Sequence, residues 1–211
     1  MSPDKSPGLH GLYVIIDPDV SIHRDLAWLT SEVIAGGAKL IQWRDKTREK
    51  GLQLPDVEVV LAVCLDRGVP MLVNDHADLA LAAGADGVHV GQKDLPVAVV
   101  RRLFPPEWIV GTSTNNVAEA RQALADGASY VAVGNLFGST SKSDTRPASL
   151  EMLHAVRAAV SVPVCGIGGV RASNIRSVVD TGAQMACAIS AVVAANDPRA
   201  AARELSNAFE T

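Results

Sequence analysis

A closed barrel of eight parallel β-strands, each followed by a helix, is the fold class the sequence predicts. Three observations carry this reading. Short runs of β-branched apolar residues alternate with segments of helical spacing along the whole chain. Each apolar run turns polar or glycine-rich only at its end, as in LIQ-WRDK, MLV-ND, GVHV-GQKD and WIV-GTST. A weak repeat of Gly-Ala marks the passage from helix to strand at 35–38, 83–85, 126–128 and 181–183. A glycine just past a helix end can take the left-handed conformation that stops the helix.

Taken in order, the predicted strands are 12–17, 39–45, 70–75, 87–90, 108–113, 130–135, 163–167 and 185–190. The intervening helices are predicted over 25–36, 53–67, 76–83, 96–104, 117–126, 149–160, 172–181 and 197–209. An open doubly wound sheet would carry GxGxxG after its first strand, whereas this strand ends in Asp17-Pro18-Asp19. Residues 1–11 are polar and rich in Pro and Gly and read as a flexible tail, with one catalytic domain over 12–211. The longest stretch without periodicity, 136–148, is a candidate lid or ligand loop.

The 211 residues are 48% apolar and carry a formal charge of −4. That length suffices for one well-buried core. There is no Lys/Arg block, which argues against nucleic acid or an anionic membrane as partner. Cys64, Cys165 and Cys187 stand far apart in apolar surroundings and fit neither a metal motif nor a disulfide framework. Reduced core thiols and a cytoplasmic location are expected. No apolar stretch is long enough to act as a signal or membrane segment.

The ends of the strands hold the chemistry. Strand alternation puts Gln42 and Arg44 on one side, with Lys46 continuing that parity and Trp43 facing the helix layer. An amide, a guanidinium and an ammonium in phase suit phosphate oxygens. Asn74-Asp75 ends the third strand and Asp94 follows the fourth. Adjacent parallel strands lie about 4.8 Å apart, so the two carboxylates can share a cation such as Mg²⁺. The bland alternative is that Asp45, Asp75 and Asp94 cap the helices that follow them. His89 reads as a barrel-lining residue. Gly166-Ile167-Gly168-Gly169 and Ile189-Ser190 end the last two strands, where barrels commonly bind phosphate through backbone N–H groups. A tight strand-to-helix turn would also need such glycines. Ser139, Thr140, Ser141 and Lys142 add hydroxyls and a cation in the long loop.

With QWRDK, VNDHADLALAAGADGVHVGQKDLP, STSK and the GIGG strand in this order, the chain from Leu12 onward resembles the thiamine phosphate synthase family. The resemblance implies a (β/α)8 barrel that joins an aminopyrimidine methyl diphosphate to a hydroxyethylthiazole phosphate with loss of pyrophosphate. By position, Gln42, Arg44, Lys46, Asn74, Ser113 and Lys142 would hold the pyrimidine diphosphate. Of these, Arg44, Lys46, Lys142 and Ser113 would be catalytic. Asp75 and Asp94 would hold Mg²⁺. Ser139, Thr140, Ser141, Gly169, Ile189 and Ser190 would bind the thiazole phosphate. The implied partners are these two small molecules, and a homo-oligomer would form through the outer helices.

The chain departs from the family pattern GPIFPTxTK at Gly134–Lys142, where Asn135 and Gly138 replace prolines and Ser139 and Ser141 replace threonines. The nearest alternative is a thiazole tautomerase-like enzyme, which tends to carry a histidine where Asn115 stands. A precursor-binding barrel without turnover and a Schiff-base aldolase using Lys46 or Lys142 are the others. A Schiff-base lysine needs a desolvated site, which dense anion-binding chemistry does not favour.

Overall fold

A computed structural model describes residues 8–138 and 146–210. Eight strands close into one parallel barrel in sequence order. They are β1 (Gly11–Ile16), β2 (Ala38–Trp43), β3 (Met71–Asn74), β4 (Gly87–Val90), β5 (Ile109–Thr114), β6 (Tyr130–Val133), β7 (Val164–Ile167) and β8 (Met185–Ala188). The barrel closes where β1 pairs with β8, Val14 opposite Ala188. The helices are α1 (Leu26–Ala35), α2 (Lys50–Arg67), α3 (Ala77–Ala83), α4 (Val97–Leu103), α5 (Val117–Ala125), α6 (Leu150–Ala159), α7 (Ile175–Val179), α8 (Ser190–Val193) and α9 (Pro198–Ser206), followed by a 3-10 turn.

The predicted strands and helices all appear, with their ends shifted by a few residues. The four-residue α8 was missed, because a single turn carries no period to detect. Helix α2 starts at Lys50 instead of 53. Several starts are capped as local chemistry dictates. Asp25 accepts from the Trp28 N–H at 2.7 Å, Asn116 from Glu119 at 2.9 Å, Ser149 from Met152 at 3.2 Å, and Asp197 from Ala200 at 2.9 Å. The repeated glycines behave as read: Gly37, Gly84, Gly127 and Gly182 all have positive φ at the helix-to-strand turns.

Alternation along the strands divides the buried side chains into two sets. Leu12, Val14 and Ile16 of β1 point outward and join a large apolar layer between sheet and helices. Tyr13 and Ile15 point inward and join a smaller cluster with Leu72, Tyr130, Cys165 and Met185. Both faces of the sheet are covered, which is why its strands read as nearly continuous apolar runs. Leu9, within the stretch read as a tail, is buried in the inner cluster. Residues 1–7 lie outside the described residues. All three cysteines are free and buried.

Candidate active site

Register places the predicted residues on one rim. The N–H of Arg44 donates to Ile16 O at the end of β1, and that of Asp75 to His89 O on β4. Ser113 lies opposite Ala132 near the end of β5. Gly169 and Ile189-Ser190 follow the adjacent ends of β7 and β8. All of these positions lie at the carboxyl ends of the strands, the catalytic face of such barrels.

Gln42 is buried inside the barrel and donates through Nε2 to the Tyr13 hydroxyl. Arg44 is also buried, and its Nη1 pairs with Asp17 Oδ2. One nitrogen is committed to Asp17. The other Asp17 oxygen accepts from the N–H groups of Asp19 and Val20 at 3.1 and 3.3 Å. Sequence reasoning missed Asp17, although it obeys the rule that these strands turn polar only where they end. Trp43 faces outward as expected, and its indole N–H reaches Gln53 Oε1 at 3.0 Å.

Lys46 pairs with Asp75 Oδ2. The lysine is about half exposed, with 50% side-chain exposure, so the pair adds little to stability, about 0–1 kcal/mol. An incoming anion can take over such a lysine at small cost.

Asp75 and Asp94 lie within hydrogen-bond reach of each other. Burial pushes the Asp94 carboxyl up, and the neighbouring Asp75 adds to this. Burial acts on Asp75 too, but the Lys46 ammonium and the shared hydrogen bond with Asp94 hold it below the ordinary carboxylate range. Two carboxylates of which one resists ionisation are a site short of positive charge. Neither caps a helix, and nor does Asp45. The residues flanking the starts of α3 and α4 are His76 and Pro96, and Asp94 instead accepts from Gly91 N at 2.7 Å. Asp45 organises its own loop, accepting from Thr47 N at 2.8 Å and Arg48 Nε at 2.5 Å. Asn74 is buried, and its Oδ1 has no hydrogen-bond partner among the described residues. An acceptor left so is costly unless a ligand satisfies it.

The glycines of the GIGG turn have a packing reason of their own. A Cβ at Gly168 would lie 2.4 Å from Asn135 Oδ1, and one at Gly169 would lie 2.3 Å from Gly138 O. The loop after β6 presses onto them, with Leu136 N donating to Ile167 O at 3.1 Å and Phe137 N to Gly168 O at 3.0 Å. Ile189 is half-buried against both the inner and the outer cluster, and Ser190 opens α8.

Ser139, Thr140, Ser141 and Lys142 lie outside the described residues. The described residues on either side of them are tied together. Asn115 Nδ2 donates to both Gly134 O and Arg146 O at 2.9 Å. Arg146 forks onto Glu119 with two 2.8 Å bonds. Asn135 and Ala148 close the root through backbone bonds of 3.1 Å (Asn135 N to Arg146 O) and 3.0 Å (Ala148 N to Asn135 O). This clamp also escaped the sequence reading, because its members come from segments far apart in the chain.

Comparison with known proteins places the chain in a family. A sequence model of the thiamine monophosphate synthase family matches residues 12–192. The thiamine-phosphate synthase of Shouchella clausii is 40% identical over 200 residues, covering 94% of this chain and 96% of that one. That of Roseiflexus sp. is 45% identical over 195 residues, covering 92% and 83%. Among solved structures, the thiamine phosphate pyrophosphorylase of Pyrococcus furiosus superposes with a TM-score of 0.87 at 33% identity, covering 95% of each chain. A 3-hexulose-6-phosphate synthase, at 23% identity and a TM-score of 0.69, shares the fold alone. The chain belongs to the thiamine monophosphate synthase family.

Proposed function

We propose that this protein condenses 4-amino-2-methyl-5-pyrimidinylmethyl diphosphate with 4-methyl-5-(2-hydroxyethyl)thiazole phosphate, giving thiamine phosphate and pyrophosphate, in the cytoplasm and with Mg²⁺ as cofactor. The observation that carries the reading is the approach of Asp75 to Asp94 beside Lys46 on one rim. The donor set suits Mg²⁺. It offers two carboxylates, and no cluster of three or more His, Cys, Asp or Glu stands among the described residues. Phosphate oxygens and water are left to complete the shell, as this ion prefers. When bound, Mg²⁺ supplies charge neutralisation to the departing pyrophosphate.

The chain's own residues then have positional tasks. Arg44, oriented by Asp17, sets its positive charge toward the diphosphate. Lys46 leaves Asp75 for it, and Lys142 joins from the long loop. These cations stabilise the charge that builds on the leaving group as its C–O bond breaks. Gln42, Asn74 and Ser113 hold the pyrimidine, whose amino group helps to delocalise the positive charge left on the methylene. Gly169, Ile189 and Ser190, with Ser139, Thr140 and Ser141, hold the thiazole phosphate so that the ring nitrogen meets that carbon. No protein nucleophile is needed, and catalysis rests on orientation and leaving-group stabilisation.

The test is an assay with both substrates and Mg²⁺. Thiamine phosphate should form, should disappear with EDTA, and should fall roughly 100-fold or more in Asp75→Asn. Binding of both substrates without product, or isomerisation of a thiazole precursor without coupling, would overturn the reading.

A further inference from the structure

Inside the barrel, five side chains from five strands form one unbroken line of hydrogen bonds. Gln42 Nε2 on β2 donates to the Tyr13 hydroxyl on β1. The Tyr13 and Tyr130 hydroxyls are 3.1 Å apart. The Tyr130 hydroxyl lies 2.8 Å from His89 Nδ1 on β4. His89 Nε2 lies 3.0 Å from Ser113 Oγ on β5. Burial pushes both tyrosine hydroxyls well above their ordinary pKa, so both stay neutral. The line begins and ends on residues to which the proposed function gives the pyrimidine.

Each hydroxyl has a single proton to give, so a line of this kind has two self-consistent proton orders. With the Gln42 amide donating to Tyr13, one order is selected. Tyr13 donates to Tyr130, and Tyr130 donates to His89 Nδ1. The neutral ring then carries its proton on Nε2 and donates to Ser113 Oγ, and the Ser113 proton is left for a ligand. The two ends differ in kind: Gln42 keeps an acceptor, its Oε1, and Ser113 keeps a donor. Reversing one end alone would leave a buried polar atom without a partner, among surroundings such as Ile15, Leu72 and Met185. The ends must therefore reverse together. A 4-aminopyrimidine edge offers an N–H donor beside a ring-nitrogen acceptor, the complement of this pair. A 4-oxopyrimidine edge offers the opposite order.

We infer that Tyr13, Tyr130 and His89 are positioning residues that couple the donor–acceptor polarity of Gln42 to that of Ser113, and that the order set by Gln42 donating to Tyr13 makes the site select a 4-amino over a 4-oxo pyrimidine. This rests on the reading of Gln42 and Ser113 as pyrimidine ligands. Sites built to hydrogen-bond a substrate reject its mismatched analogue strongly, because their own polar groups are left unpaired.

Two measurements test it. The first compares kcat/KM for the 4-amino diphosphate with the inhibition constant of its 4-oxo counterpart, in the wild type and in Tyr130→Phe. Discrimination should fall about 10-fold or more, with the KM for thiazole phosphate unchanged. The second is ¹⁵N NMR of the histidines. His89 should carry its proton on Nε2 in the wild type and lose that preference in Tyr130→Phe. Undiminished discrimination in a folded variant, or a His89 proton resident on Nδ1, would overturn the inference. If Tyr130→Phe does not fold, Tyr13→Phe and the wild-type spectrum decide in the same terms. An active wild type with unaffected tyrosine variants sinks this inference alone. A wild type that neither binds nor couples the substrates sinks the proposed function, and the inference with it.

Discussion

The two buried layers of this barrel are made of different material. The layer between sheet and helices is almost wholly Val, Leu, Ile and Ala, with Trp43 its largest fully buried side chain. The layer inside the barrel holds two tyrosines, two cysteines and a methionine, with Gln42 and His89 threaded through it. Apolar contact is non-directional and tolerates exchange at constant volume. Hydrogen bonds have direction, and each depends on its neighbours. The outer layer therefore sets how firmly the barrel holds, and the inner layer sets what its mouth presents. Substitutions in the two should part company, with stability falling in one and selectivity in the other.

The largest effect on stability should come from the outer layer. Leu153 on α6 is fully buried, and Leu153→Ala should lower unfolding free energy by about 2–5 kcal/mol. Denaturant titration would measure this, and the folded fraction should keep its preference among pyrimidines. Next comes the inner layer. A Cβ at Gly111 would lie 2.1 Å from Tyr130 Cζ, so the glycine exists to admit that ring. Gly111→Ala should cost about 1–3 kcal/mol, and it should also erode selectivity by displacing Tyr130. If selectivity survives that change, the division of labour between the layers is wrong.

A smaller effect of opposite sign is expected at the rim. The Asp94 carboxyl is raised by burial and then by Asp75. Stability linked to its protonated form is present at low pH and is lost as pH rises through the unfolded and then the folded value. At pH 7 without metal, Asp94→Asn should therefore raise the thermal midpoint, while the coupling activity falls. Asn can still accept from Gly91 N, so the loop is kept. The smallest effect is a non-reaction. Burial, with Asp86 nearby, pushes the Cys64 thiol up to about 12. Iodoacetamide at pH 8 should leave Cys64 unlabelled in the native protein and label it on unfolding, as read by mass spectrometry.

Much of this was legible before any coordinates. Short apolar runs with polar ends located the strands, the rim and the neighbouring positions of Asp75 and Asp94, since a parallel barrel in sequence order fixes which ends adjoin. What escaped were relations between residues distant in the chain. Asp17 looks like part of a turn until β2 brings Arg44 beside it. Tyr13 and Tyr130 look like ordinary core aromatics until closure of the barrel sets their hydroxyls together across 117 residues of sequence. The GIGG glycines show the converse limit. Their pattern suggested an anion cradle, yet close packing of the β6 loop already accounts for them.

The clamp of Asn115, Glu119 and Arg146 has a consequence for the length of chain between its anchors. It ties Gly134 and Arg146 to the same side chain, so the chain between them begins and ends at a fixed doorway. For a span anchored in this way, doubling its length adds only about 0.6 kcal/mol of closure entropy. A change of length between those anchors is therefore cheap for the fold, whereas Asn135 and Gly138, which press on Gly168 and Gly169, are not free to change shape.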